Sequence, residues 1–228
     1  MLNILDFLDF FDFLRETPSV VIVIATAAVI FVVRDWRLSL TALTIQYLVA
    51  GFLFADVLLP HLAFTNVLMG LFVVLILYFT ARQVNWGKLP VDVTPDEAIQ
   101  LRKERLVRLG PYMLPTDTPF RLFLAIAIIL AVVAITLRHV IELPVAPDHL
   151  STAALGLVIF GAVGMGLTSE PLKAGLGLLT FMTGFQLYYS ALEQSAAMLL
   201  MLIIANLILA LVISYLVQSR HAYKELLD

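Results

Sequence analysis

Apolar runs of bilayer length dominate this sequence. A helix needs about 20 apolar residues to cross the hydrocarbon core, and lipid tolerates it because all its backbone hydrogen bonds are internal. Seven such runs are separated by polar breaks, at 19–33, 38–58, 62–81, 120–137, 150–168, 172–191 and 196–217. The sequence therefore predicts an all-α fold, a polytopic transmembrane helical bundle of about seven spans arranged as three and then four.

The composition excludes most catalytic classes. The chain is 61% hydrophobic and 14% charged, whereas a soluble domain is about 45–50% apolar and about 25% charged. It has no cysteine, its four histidines lack metal-ligand spacing, and it shows no phosphate-binding loop or nucleophile motif. We expect no enzyme activity from the chain alone, no cofactor or metal, no nucleic-acid partner and no small-molecule substrate.

The breaks divide the chain into five segments. We expect an N-terminal amphipathic interfacial helix at 1–17, spans 1–3 at 18–82, a cytoplasmic linker with a surface helix at 83–119, spans 4–7 at 120–217 and a cytoplasmic tail at 218–228.

The placement of Lys and Arg predicts the orientation. With the N-terminus outside, only Arg15 and Arg138 of the 14 basic residues lie outside. The positive-inside rule therefore favours an outside N-terminus and a cytoplasmic C-terminus. We expect a multi-pass protein of the inner (plasma) membrane of a prokaryote.

The N-terminal segment carries an acidic stripe. Asp6, Asp9 and Asp12 recur every three residues among Leu, Ile and Phe, a pattern typical of an amphipathic helix outside the membrane. The aspartates either face water from an interfacial anchor or bind a partner that has basic residues.

The linker contains a second predicted helix. Thr94 is a good N-cap, Pro95 suits the first helical position and Glu97 completes a capping box. We predict a helix from there to Leu109, ended by the Gly-Pro pair that follows. Its basic residues favour the cytoplasmic membrane surface or a docking face for a soluble subunit. The candidate docking residues are Arg102, Arg105 and Arg108.

Polar residues inside the spans are few. An ionisable residue in a span is a functional candidate because it is costly there. Asp56 near the outer end of span 2 is such a candidate, and no Lys, Asp or Glu lies at the middle of a span. The neutral candidates either bond helices together or line a water path. They are Gln46, Asn66, Thr183, Gln186 and Asn206.

Two stretches resemble a known family. The first reads TNVL at 65–68 and continues to YFTAR at 78–82, and the second reads EPLK at 170–173 followed by Gly177 and MTG at 182–184. They are similar to the component E subunit of hydrogenase-4-type membrane complexes, whose C-terminal part looks like the K subunit of respiratory complex I. The resemblance implies a membrane subunit of a complex-I-like assembly, with other membrane subunits and the lipid bilayer as its partners.

The chain departs from that family at its charged positions. The family pattern has a Gly followed five residues later by Glu, then Asn-Gly. Here Gly177 is followed by Met182, Thr183 and Gly184. The resemblance also places Asn206 at an acidic position and Asn66 at a lysine position. It implies a scaffold that has lost the charges associated with proton passage.

The leading hypothesis is a non-catalytic subunit with a structural or bridging role in such an ion-translocating assembly. One rival is a small stand-alone transporter or channel, and another is a membrane anchor that recruits a soluble partner through 94–109.

Overall fold

A computed structural model describes residues 17–84, 106–109, 112–115, 118–138, 147–168 and 170–225, with the backbone alone at 106–109, 112–115 and 221–225. Within this part of the chain, seven helices confirm the predicted all-α bundle of three and then four. They are α1 Thr17–Val32, α2 Trp36–Ala55, α3 Pro60–Gln83, α4 Thr118–Leu137, α5 Asp148–Gly166, α6 Pro171–Leu192 and α7 Ala196–Glu225.

The helix boundaries follow from local chemistry. Asp35 precedes α2, and its Oδ1 accepts a 2.9 Å hydrogen bond from the Arg37 backbone N–H, as an N-cap residue does. α3 and α6 both begin at a proline, Pro60 and Pro171, where the missing N–H costs no helical hydrogen bond. These signals are readable in the sequence, which is why the predicted spans lie close to the observed helices.

Five helices are long and apolar enough to cross a membrane: α2, α3, α4, α5 and α7. α1 is apolar but has 16 residues, or about 24 Å of helix, shorter than a hydrocarbon core of about 30 Å. α6 has 22 residues and is not among the five. Membrane crossing by α1 and α6 stays a prediction.

α6 is the central helix of the bundle. It packs against α5 and α7, and also against α2 and α1. Its polar residues Lys173, Thr183, Gln186 and Ser190 are all buried. The polar residues of this helix are thus shielded by its apolar neighbours, as expected where the surrounding solvent is lipid.

α4 lies at the periphery. Only Ala125, Ile128 and Val132 of this helix are buried, where it packs against α5 and α1. Its outward face carries large apolar side chains, including Phe123 at 70% and Leu130 at 63% exposure. Such a face requires lipid or another apolar surface against it.

The bundle has two chemically different ends. At the first, called the basic end, α1, α3 and α5 finish and α2, α4 and α6 begin. Its described basic residues lie between these helices or in their terminal turns, namely Arg34, Arg37, Arg82, Arg121 and Lys173. Arg220 lies near the end of α7, beside the end of α3. Arg138 follows α4 at the opposite end. The side of the membrane that the basic end faces stays a prediction.

The predicted linker helix is wrong over its last turn. Leu106–Leu109 forms a strand, β1, paired antiparallel with Tyr112–Pro115, β2. Leu109 opposes Tyr112, so only two residues separate the strands, the commonest length of a hairpin connection. The Gly-Pro pair that we interpreted as a helix stop therefore separates two strands, and Val107 and Tyr112 suit β-structure.

The remaining predictions for the polar segments lie outside the described residues. These are the N-terminal helix with Asp6, Asp9 and Asp12, and the linker helix over 94–105 with Arg102 and Arg105. Arg108 lies in β1.

Candidate functional site

Three buried amide side chains form a connected chain of hydrogen bonds. Gln186 on α6 donates through Nε2 to Asn66 Oδ1 on α3 at 3.0 Å. Asn206 on α7 donates through Nδ2 to Gln186 Oε1 at 3.2 Å. The three side chains are 9% exposed or less. This set, called the amide chain, joins α3 to the consecutive helices α6 and α7.

Two buried amide residues, Asn206 of the amide chain and Gln46 outside it, have polar atoms without hydrogen bonds to described residues. Asn206 Oδ1 is buried and has no hydrogen-bond partner among the described residues. Gln46 on α2 is fully buried, and neither its Nε2 nor its Oε1 has a partner in the described part of the chain. A buried polar atom without a partner costs about 1–3 kcal/mol. These atoms therefore mark the places in the described interior where polar groups lack hydrogen bonds.

The chemistry open to the amide chain is limited. Neutral amides donate and accept hydrogen bonds but do not titrate, so they neither take up nor release a proton as an acid or base. Among the described residues, the only buried charged side chain is Lys173. The amide chain can hold helices together and orient water, but it supplies no acid–base relay.

Two of the candidate glycines lie at the interface of α6 with α5. A Cβ built on Gly177 would lie 2.9 Å from Met165 N, and one on Gly184 would lie 2.7 Å from Leu157 Cβ. Both positions thus require the absence of a side chain, because the two helices approach closely there.

The remaining candidates on α6 do not join the amide chain. Thr183 is buried but donates to Leu179 O within its own helix at 2.8 Å. Met182 is partly buried, one helical turn before Gln186. Of the nine intramembrane candidates, the structure therefore brings together Asn66, Gln186 and Asn206.

Asp56 lies at the opposite end of the bundle. Its Oδ2 is 3.5 Å from Nε2 of His149 at the start of α5, an ion pair when the imidazole is protonated. The contact links the end of α2 to α5. The sequence showed both residues at the ends of spans but not their pairing.

Sequence reasoning missed a cationic cluster at the end of α1. Lys173 is 6% exposed, and its Nζ donates to Val33 O and, at 2.9 Å, to Ser39 Oγ. Arg121 donates through Nη1 to Phe31 O at 3.2 Å, and its guanidinium lies 6.0 Å from the Phe31 ring centroid. Both cations thus cap the last carbonyls of α1.

The contacts of Lys173 with the end of α1 explain how a buried lysine is tolerated at the start of α6. Lys173 lies in the first turn of α6, where the positive end of the helix dipole opposes a cation. The free carbonyls at the carboxyl end of α1 offset that cost, because they present partial negative charge. A lysine two residues after the proline of a Glu-Pro helix start was the available signal in the sequence.

The cluster also borders a small cavity. It has a volume of about 10 Å³, and its lining includes Arg121, Lys173, Thr168 and Thr180. That volume is close to the space needed for one water molecule.

Fold and site together define the class of protein: a multi-pass α-helical membrane protein with an apolar interior that contains a small number of buried polar contacts. Among the described residues, no group of three or more His, Cys, Asp or Glu side chains is placed to hold a metal ion. No protein-family model, curated protein or solved structure matches the chain.

Proposed function

We propose that the chain is a non-catalytic integral membrane subunit of a larger ion-translocating assembly of the complex I or membrane-bound hydrogenase type. Its role would be structural, bridging neighbouring membrane subunits and holding their helices in register. The observation that carries this proposal is the amide chain of Asn66, Gln186 and Asn206.

The amide chain supports the proposal through the positions it occupies. The family resemblance assigns a lysine to position 66 and an acidic residue to position 206. In this chain Asn66 and Asn206 both bond to Gln186. Neutral amides preserve a contact between the helices without the titrating groups that proton transfer requires. A subunit that lost proton passage but kept its packing would have this arrangement.

The outer surface of the bundle also supports a subunit role. α4 buries only three residues in the bundle, and α7 exposes Met201, Ile204 and Tyr215 at 54% or more. These faces fit lipid, and they equally fit the apolar helices of neighbouring subunits.

The proposed location is the inner (plasma) membrane of a prokaryote. The basic end would face the cytoplasm, because the positive-inside rule retains Lys and Arg on that side. The N-terminus would then lie outside and the C-terminus inside.

One observation favours a second candidate, a stand-alone transporter or channel. Gln46 and Asn206 together hold three buried polar atoms without partners in the described residues, and such atoms could line a polar path. Purified protein reconstituted alone in liposomes would carry an ion flux if this candidate were correct. Gln46→Leu would then abolish the flux.

The decisive experiment isolates the protein from native membranes. Mild-detergent extraction, a native gel and mass spectrometry of the band should recover antiporter-like and hydrogenase- or dehydrogenase-like subunits in one large complex. Migration alone or as a small homo-oligomer would refute the subunit role.

Substitutions in the amide chain test the structural role directly. Gln186→Leu and Asn206→Leu should reduce the amount of assembled complex, and the turnover per assembled complex should stay unchanged. Loss of ion pumping with assembly intact would contradict a purely structural role.

A further inference from the structure

A groove of about 1470 Å³ opens beside α2 and α3 at the basic end of the bundle. Its basic residues, Arg34, Arg37 and Arg82, lie before or within the first turn of α2 and in the last turn of α3. Its wall further along the helices is mainly apolar and includes Leu71 and Leu75. Thr41 and Thr44 also line it, but their hydroxyls donate to carbonyls of their own helix. The groove therefore joins a charged mouth to an apolar wall.

The described residues that line the mouth carry one net positive charge. Three arginines line the groove together with two acids, Asp35 and Glu170. Asp35 already accepts the backbone N–H of Arg37 at 2.9 Å as the N-cap of α2. Three guanidinium groups and two carboxylates leave a single positive charge, which one monoanionic group would balance.

Aromatic rings border the same mouth. The ring centroids of Trp36 and Tyr78 are 5.9 Å apart and link the start of α2 to the end of α3. The Arg37 guanidinium lies 5.3 Å from the centroid of the Trp36 ring, a cation–π contact that holds it at the mouth. Trp and Tyr are enriched at the level of lipid headgroups, so the mouth has the composition of a membrane interface.

The apolar wall favours a lipid over a soluble anion as the molecule that occupies the groove. Leu75 is 51% exposed and Phe79 is 50% exposed along the groove. A soluble anion would contact the arginines and leave these side chains uncovered. An acyl chain would cover them.

We propose that this groove binds one anionic phospholipid with a singly charged headgroup. The phosphate lies at the mouth against Arg37 and Arg82, and an acyl chain follows Leu71 and Leu75. Basic pockets between membrane helices recognise anionic headgroups in this way. The proposal is independent of the proposed function, because it requires only that the bundle lies in a bilayer.

Native mass spectrometry of the delipidated protein in detergent tests the headgroup contact. The probes are dioleoyl phosphatidylglycerol and dioleoyl phosphatidylcholine, which differ in headgroup charge. The wild type should bind one phosphatidylglycerol more tightly than phosphatidylcholine. Arg37→Gln and Arg82→Gln should each weaken phosphatidylglycerol binding about fivefold, as expected for one basic residue near an anionic headgroup.

Two control variants separate charge at the groove from charge elsewhere. Arg37→Lys keeps the positive charge and should retain the preference for phosphatidylglycerol. Arg138→Gln removes an exposed arginine at the opposite end and should leave binding unchanged. Equal affinity for both lipids, or an equal loss in Arg138→Gln, would overturn the proposal.

A second pair of variants tests the acyl-chain contact. Leu75→Trp narrows the groove and should weaken phosphatidylglycerol binding, whereas Leu130→Trp on the exposed face of α4 should not. Because these variants keep every charge, an unchanged affinity in Leu75→Trp would show that the groove holds no acyl chain. If another part of the chain covers the groove, the affinity in Leu75→Trp will also stay unchanged, and the proposal is then wrong for that reason.

Discussion

The side-chain amide of Gln186 donates a 3.0 Å hydrogen bond to Asn66, 120 positions earlier in the chain. The bond is buried and joins the central helix α6 to α3, across the boundary between the first three helices and the last four. Asn206 extends it to α7 through the other atom of the same amide. Gln186 is therefore the middle member of a polar connection between the two halves of the bundle.

Substitution of the middle amide should lower the free energy of unfolding more than substitution of a terminal one. Gln186→Leu removes both hydrogen bonds, whereas Asn206→Leu removes one. We expect Gln186→Leu to lower the free energy of unfolding in detergent by about 1–3 kcal/mol and Asn206→Leu by about half of that. Gln218 lies on α7 like Asn206 and makes an exposed 3.4 Å contact with Gln83 at the end of α3. Gln218→Leu should change the free energy of unfolding by less than about 0.5 kcal/mol. Equal effects of all three substitutions would contradict the connected amide chain.

The close approach of α5 and α6 should be sensitive to a single methyl group. A Cβ on Gly161 would lie 2.6 Å from Phe181 Cα, whereas nothing lies within 4 Å of one on Gly166. Gly161→Ala should therefore lower the unfolding free energy by about 1–3 kcal/mol, because the two backbones must separate. Gly166→Ala on the same helix is the matched control, with an expected change of less than about 1 kcal/mol. Thermal unfolding in detergent measures both, and equal melting temperatures would refute the close contact.

Removal of the buried lysine should loosen the end of α1. Lys173→Met leaves Val33 O and Ser39 Oγ without the Nζ donor, and hydrogen bonds to charged groups contribute about 1.5–3 kcal/mol. We expect a loss of that size in the free energy of unfolding and faster amide hydrogen exchange in the last turn of α1. Arg138→Met, at an exposed position, should change neither quantity. Unchanged exchange at 29–33 in Lys173→Met would contradict the capping role.

Gln46 should be replaceable by an apolar residue of similar size. Its Nε2 and Oε1 are buried without partners among the described residues, so Gln46→Met removes two polar atoms that lack hydrogen bonds and keeps most of the volume. We expect the free energy of unfolding to rise by about 1–2 kcal/mol. Chemical denaturation in detergent measures it. A loss of stability would show that Gln46 has a partner, such as an internal water, whose hydrogen bonds matter to the fold.

The linker shows where local sequence signals are ambiguous. Thr94 and Glu97 satisfy a capping pattern, but the helix extended from them to Leu109 conflicts with the observed pairing of Leu109 with Tyr112. Gly-Pro ends a helix and also suits the connection between two strands. Propensity alone does not choose between these outcomes, because the hairpin is stabilised by a partner strand that follows the turn.

Sequence by itself determined the helices, their boundaries and the segregation of charge. Hydropathy, N-capping by Asp35 and the prolines at 60 and 171 are local properties, and each acts within one or two helical turns. Only the tertiary structure decided which polar groups meet. Gln186 bonds to Asn66, 120 positions away, and to Asn206 on the next helix, and the partners of Lys173 lie 134 and 140 positions away. These contacts depend on how each helix is rotated and packed. That rotation comes from close packing at positions such as Gly161 and Gly184, and no local pattern specifies it.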